Sequence, residues 1–249
     1  MTVTAATVLR SEWTKLTTLR VTWAVPLAGT ALGVAVGAVT CALIGDVQPL
    51  LIEDPSVALY YGLTVFQTVF VCFGVLLIGQ EFHSGTVRTA LTAVPDRALL
   101  YGGKLAVGAG YALGLGLVLA VGSFAAGRAL LDHPPGWTDP GVPRSLVAAA
   151  LHPPLMTVLC LGVTAMLGNL TVAMGLLVPT VLFGTSLLGA LPGGRAVHPY
   201  LPDQAGLYAM RLAVDADVPY PHWAGTAVLA LWAGLAAHGG LRRFRRYDA

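Results

Sequence analysis

The sequence predicts an all-α, polytopic membrane protein with six transmembrane helices, an N-terminal interfacial amphipathic helix and both termini in the cytoplasm. Three observations predict it. Of 249 residues, 56% are hydrophobic and 10% are charged, whereas an ordinary soluble domain carries about 25% charged residues to face water. The apolar residues gather into six runs, near 22–44, 57–79, 105–127, 145–167, 172–191 and 223–240. The 14 Lys and Arg residues fall unevenly between the loops.

Each run approaches the ~20 residues, at 1.5 Å rise, that cross a ~30 Å hydrocarbon core. Backbone polar groups must be satisfied inside lipid, so the runs are read as helices within one transmembrane domain over 1–249. Residues 1–21 precede the first. There Val8, Leu9, Trp13, Leu16 and Leu19 can form an apolar stripe, with Arg10, Lys15 and Arg20 available to headgroups. The first run is too long for a signal-peptide core of about 7–15 residues, so it is read as a retained span. Its Gly29, Gly33 and Gly37 form a double G-x-x-x-G, a possible helix-packing or subunit interface. Cys41, Cys72 and Cys160 fall inside spans, where packing is the expected role.

Prolines and glycines punctuate the second half. His152-Pro153-Pro154 interrupts the fourth run. Either a kinked helix starts near Arg144, or an interfacial piece precedes a shorter span from Pro154. Residues 155–191 would be on the order of 55 Å as one helix, too long for one crossing, and Gly168-Asn169 is read as the break. Pro179 should bend the fifth span.

Orientation follows from the bases. With six spans, one side holds Arg10, Lys15, Arg20, Arg88, Arg97, Lys104, Arg242, Arg243, Arg245 and Arg246, and the other Arg128, Arg144, Arg195 and Arg211. That split places both termini and segment 80–104 in the cytoplasm of a cell-membrane protein, and 192–222 outside. The Arg242-Arg243-Phe244-Arg245-Arg246 cluster reads as a positive-inside anchor, not a nucleic-acid site.

Catalytic patterns are hard to find. The span interiors hold no Asp, Glu, Lys or Arg, so no proton relay or carboxylate pair is indicated. Asp203, Asp215 and Asp217 are read as solvated loop charges in preference to a metal site. The Gly103-Lys104 pair is followed by Leu105, and Ala98 stands where a phosphate-binding loop needs its first glycine. No cofactor is expected on this chain, and energy for uphill transport would come from another polypeptide.

Segment 80–104 is the exception to the apolar pattern. Val87, Ala90, Leu91 and Val94 fall at i, i+3, i+4 and i+7, one face of a short helix, with Ser84 as its expected N-cap and Pro95 as its end. Physics alone leaves two readings open, a docking helix or a cover for lipid headgroups. Glu81, at the membrane end, is expected to pair with a nearby base.

The run Gly79-Gln80-Glu81-Phe82-His83-Ser84-Gly85-Thr86-Val87-Arg88-Thr89-Ala90-Leu91, then Pro95-Asp96-Arg97 and Lys104, resembles the cytoplasmic loop of ABC-2 type transporter permeases. The entry Ser11-Glu12-Trp13-Thr14-Lys15-Leu16 to Arg20 is similar to that family's N-terminal motif. Gln80, inserted before Glu81, and Asp96 depart from its commoner form. The resemblance is motif-specific over about forty residues and implies a transport subunit, not an enzyme, most often within an exporter. The implied partners are a separately encoded ABC ATPase, holding ATP and Mg, and a second permease copy or paralogue. Glu81, His83, Ser84, Gly85, Thr86, Val87, Arg88, Ala90, Leu91, Val94, Pro95 and Arg97 would form the ATPase-coupling loop. A membrane binding or immunity protein, or a lipid-modifying enzyme, are the alternatives.

The basic-residue asymmetry sets a topology test. Reporter fusions after Asp96 and after Ala249 should read cytoplasmic, and fusions near Pro140 and Asp215 external; an external signal at Asp96 would reverse the orientation.

Overall fold

The computed structural model describes residues 4–44, 54–215 and 217–246, and every regular element among them is helical. Helices α1 (Ala5–Thr18) and α2 (Arg20–Ile44) lead to the short α3 (Pro55–Leu59), then α4 (Tyr61–Ser84), α5 (Val87–Ala93), α6 (Arg97–Leu130) and α7 (Val142–Leu167). Helix α8 (Leu170–Pro179) runs through a π-helical turn (Thr180–Gly184) into α9 (Thr185–Ala190). After two 3-10 turns come α10 (Pro202–Met210) and α11 (His222–Arg245). Among the described residues six units are long and apolar enough to cross a membrane: α2, α4, α6, α7, α8 with α9, and α11. They match the six apolar runs but are mostly longer. Helix α6 has 34 residues, about 51 Å at the α-helical rise, and starts eight residues before the expected span.

Helix α7 is the hub, packing against α4, α6 and α11. It is one continuous helix through Pro153 and Pro154, which decides between the two readings of the fourth span. Pro154 has no N–H to give the Ala150 carbonyl, so the helix carries a broken rung. Gly116 of α6 lies against that oxygen so closely that a Cβ would stand 2.4 Å from it. Glycine thus lets the α6 backbone shield the broken rung from lipid.

The other expected breaks fall where the sequence placed them. Gly168 ends α7 in the left-handed conformation (φ 66°), and the Asn169 side chain caps α8 by accepting from the Val172 N–H at 3.1 Å. At Pro179 the fifth span loses α-helical register, and the Thr185 N–H bonds the Thr180 carbonyl across a wide turn. The glycine stripe of α2 is used inside the chain. Gly29 faces Val69, Gly33 faces Gly62 and Leu119, and Gly37 faces the Leu59 carbonyl. Cys41, Cys72 and Cys160 are free thiols within their spans.

Segment 192–222 contains α10, a helix packed against α7 and α11. Its terminal carbonyls, orphaned as at any helix end, are taken up by α7. Arg144 donates to Ala209 O at 2.5 Å and Arg211 O at 2.6 Å, and Ser145 Oγ to Met210 O at 2.5 Å. Asp54 holds the following residues, accepting from the Leu212 and Ala213 N–H groups at 3.1 Å each. Asp215 pairs with Arg211 at 2.7 Å. Asp203 corrects the expectation of a solvated charge: it is fully buried, its Oδ2 accepting from Thr185 Oγ1 and Gln204 Nε2 at 2.8 Å each. Burial pushes its carboxyl above the usual range, against the pull of those hydrogen bonds.

The Gly116 contact generates a stability test. Gly116→Val should cost about 1–3 kcal/mol by overpacking against the Ala150 carbonyl. Gly114→Val, where a Cβ meets nothing within 4 Å, should stay within about 0.5 kcal/mol. Unfolding of both variants in mixed micelles measures the difference.

Candidate functional site

The charged segment is helical almost throughout. Glu81 to Ser84 continue α4, and Gly85 (φ 72°) ends that helix in the left-handed region. Ser84 is therefore not the N-cap of α5, as its spacing had suggested. Its Oγ donates to the Gln80 carbonyl at 2.8 Å and shares a hydrogen bond with Thr86 Oγ1 at 2.9 Å. Thr86 takes the cap position of α5 without a side-chain cap. Val94 is extended before Pro95, and Asp96 caps α6 by accepting from the Ala98 and Leu99 N–H groups at 2.9 and 3.1 Å. The residue that departs from the resembled pattern thus has a local structural role. Arg97 donates to the Arg245 carbonyl at 2.8 Å, fastening the start of α6 to the end of α11.

The apolar face of α5 turns inward. Val87 and Leu91 are buried in a cluster with Val8, Ile78, Leu100 and Phe244, and Ala90 and Val94 pack against it. Arg88, Thr89, Thr92 and Ala93 form the exposed face; His83, Gly85 and Pro95 are also exposed. A partner approaching α5 would meet that polar face. The Val87–Leu91 stripe is turned away from it, into the cluster.

Under α5 four charges close a ring. Glu12 and Lys15 lie one turn apart on α1, Glu81 at the end of α4, and Lys104 two turns into α6. Lys104 Nζ donates to Glu12 Oε2 at 2.8 Å and to Glu81 Oε1 at 2.5 Å. Lys15 Nζ donates to Glu12 Oε1 at 2.6 Å and to Glu81 Oε1 at 3.1 Å. Lys104 is 1% exposed and Glu12 6%, whereas Lys15 is 45% exposed. Each positive group touches both carboxylates, so the ring is neutral and joins three helices.

Burial opposes the Lys15 charge, but the hydrogen bond to Glu12 and the field of Glu81 outweigh it and hold the ammonium above its ordinary 10.5. That contribution to stability is complete below 10.5 and is lost as pH rises through the folded value. Lys15 and Lys104 are the only lysines in the sequence. The sequence pointed to a base for Glu81 but not to Glu12, which completes the ring from a distant segment.

A cavity of about 560 Å³ opens beside the ring between α1, α4, α5 and α6. Ser84, Thr86 and Thr89 line its polar end, and Leu16, Leu76 and Leu77 its apolar end. A second cavity, about 1110 Å³, lies at the other end of the molecule, lined in part by Tyr60, Gln67, Thr68, Gln204 and Tyr208. Next to it Gln67 Oε1 meets His152 Nε2 at 3.1 Å inside the bundle. Among the described residues no group of three or more His, Cys, Asp or Glu side chains could hold a metal ion. No family model matches this chain, and no curated protein is detectably similar to it.

Buried ions left without a partner are costly, so the ring can be probed directly. Lys104→Met should destabilise the protein by about 3–5 kcal/mol, because two inward carboxylates would share only the half-exposed Lys15. Adding Glu12→Gln should recover part of the loss. Micellar unfolding of the single and double variants tests both statements.

Proposed function

We propose that this chain is the membrane-spanning permease subunit of an ABC-2 type ATP-driven transporter, an exporter of a small amphipathic molecule, antibiotic, lipid or peptide. The observation that carries the reading is the convergence of two separated motifs. Glu12 and Lys15, from the N-terminal motif, meet Glu81 and Lys104, from the loop motif, in one ring. The residues behind the resemblance thus form one mechanical part, and α5 sits above it with its inner face held and its outer face free.

In this reading α5 is the coupling helix. A separately encoded ABC ATPase, binding ATP and Mg, docks from the cytoplasm on the Arg88–Thr92 face, and the inward Val87–Leu91 face passes its movement to α4 and α6. Both termini are cytoplasmic, and the exposed Leu9 and Trp13 of α1, with Leu19 just past its end, lie at the bilayer interface. A second permease copy or paralogue completes the translocation path. The chain itself transports and does not catalyse.

Co-purification with an ABC ATPase encoded beside this chain tests the proposal. Arg88→Glu, on the exposed face, should cut recovery of the ATPase about tenfold by placing the wrong charge in the contact, with the permease folded as before. The isolated chain should hydrolyse no ATP. Undiminished ATPase binding by Arg88→Glu, or hydrolysis by the chain alone, would overturn it.

A further inference from the structure

The cavity beside the ring has a polarity profile that matches one class of ligand. Along α4 its lining runs from Ser84, at the helix end, to Leu76, a depth of about 12 Å at the α-helical rise. Ser84, Thr86 and Thr89 bring hydroxyls to the shallow end, and Leu16, Leu76 and Leu77 line the deep end, where Thr22 adds a single hydroxyl. The cavity thus broadly follows the change from headgroup to acyl chain at one face of a bilayer. The charges are distributed unevenly within it. Glu81 Oε1 accepts from both lysines, while Glu81 Oε2 is shielded from solvent and has no partner. A buried carboxylate oxygen without a donor is unfavourable, and a charge-assisted donor is its strongest remedy. Lys15, which has three N–H donors, uses two of them on Glu12 and Glu81.

We infer that this cavity binds a phospholipid with a primary-amine headgroup. The headgroup ammonium donates to Glu81 Oε2, and the phosphate accepts from the remaining N–H of Lys15, at the end of the cavity where the hydroxyls of Ser84, Thr86 and Thr89 lie. The first part of an acyl chain lies along Leu16, Leu76 and Leu77. Lys15 is the most exposed member of the ring and the one able to swing aside as the ammonium enters. A trimethylated headgroup carries the same charge but no N–H donor, so it cannot satisfy Glu81 Oε2. An anionic headgroup without an amine brings only charge repulsion to that oxygen. The inference depends on the chain being embedded in a bilayer and not on the transporter reading, so either can fail without the other.

The test uses the full chain in nanodiscs containing equal amounts of phosphatidylethanolamine, phosphatidylcholine and phosphatidylglycerol, followed by native mass spectrometry of the lipids retained. One phosphatidylethanolamine should be retained in preference to the other two by about tenfold, as expected for a charge-assisted hydrogen bond. Glu81→Gln should reduce that preference to below about twofold, since a neutral amide gives up the charge assistance. Ala93→Trp, at the exposed rim and outside the ring, should block retention of every lipid while gel filtration and circular dichroism remain those of the parent. This second variant keeps the test decisive if Glu81→Gln does not fold. Equal retention of ethanolamine and choline lipids by the parent would overturn the inference and point to a socket for a basic side chain of a protein partner. Preference for phosphatidylglycerol, or undiminished retention by Ala93→Trp, would also overturn it.

Discussion

A lysine ammonium that is almost wholly enclosed needs negative partners within hydrogen-bond reach, and Lys104 finds them in two different segments. Desolvating each ion costs several kcal/mol even after relaxation, so the arrangement is tolerable only when the geometry is good and every charge is paired. This makes the ring a device for register more than a source of stability. It fixes the rotation of α1 about its axis, since Glu12 must face inward, and Val8 and Leu16 on the same face follow it into the core. It also fixes how far α4 and α6 extend past one another, because Glu81 and Lys104 have to meet. Helix α5, joined to both by short turns, then lies over the cluster that the other helices create.

The opposite end obeys the same rule with different groups. There the constraint is the backbone: α10 is a short helix ending against the bundle, and its last carbonyls would be unsatisfied without Arg144 and Ser145. Asp54 performs the complementary task for the N–H groups that follow. Between the two fastened ends the interior is held by packing, and one polar pair there, Gln67 with His152, joins two helices. The gap at Pro154 is covered by backbone contact from Gly116, because lipid offers no donor or acceptor to cover it.

The six spans were legible in the sequence because lipid imposes a length and a composition on each. The breaks at Gly168-Asn169 and Pro179 were legible because those residues act locally. Helix ends were less so: polar residues such as Glu81 and Lys104 extend a helix as readily as they end a span, so the expected loop 80–104 is mostly helix. Ser84 has the composition of a cap, but Gly85 terminates α4 one residue later and moves the start of α5 with it. The direction of the α5 apolar stripe was not legible, since periodicity shows that a face exists and not what covers it. Helix α10 and the burial of Asp203 were hidden for a related reason: they depend on partners in α7 and α9. The ring itself left a trace, in that both lysines and two glutamates sit within the two motif stretches, but only the fold shows that they meet.

The two faces of α5 assign different tasks to contacts of different physical kinds. Apolar packing of Val87 and Leu91 is short-ranged and dense, so displacement of α5 is transmitted to Ile78 of α4 and Leu100 of α6 with little slack. The ring beneath is less rigid in one respect. Lys104 is enclosed and must keep its carboxylates, whereas Lys15 is half in solvent and can exchange its carboxylates for water at modest cost. A push on α5 would therefore keep α4 and α6 in register through Lys104 while allowing α1 to yield through Lys15. An all-apolar contact at this point would bind the three helices equally. The unequal burial of two lysines provides one fixed joint and one that can release.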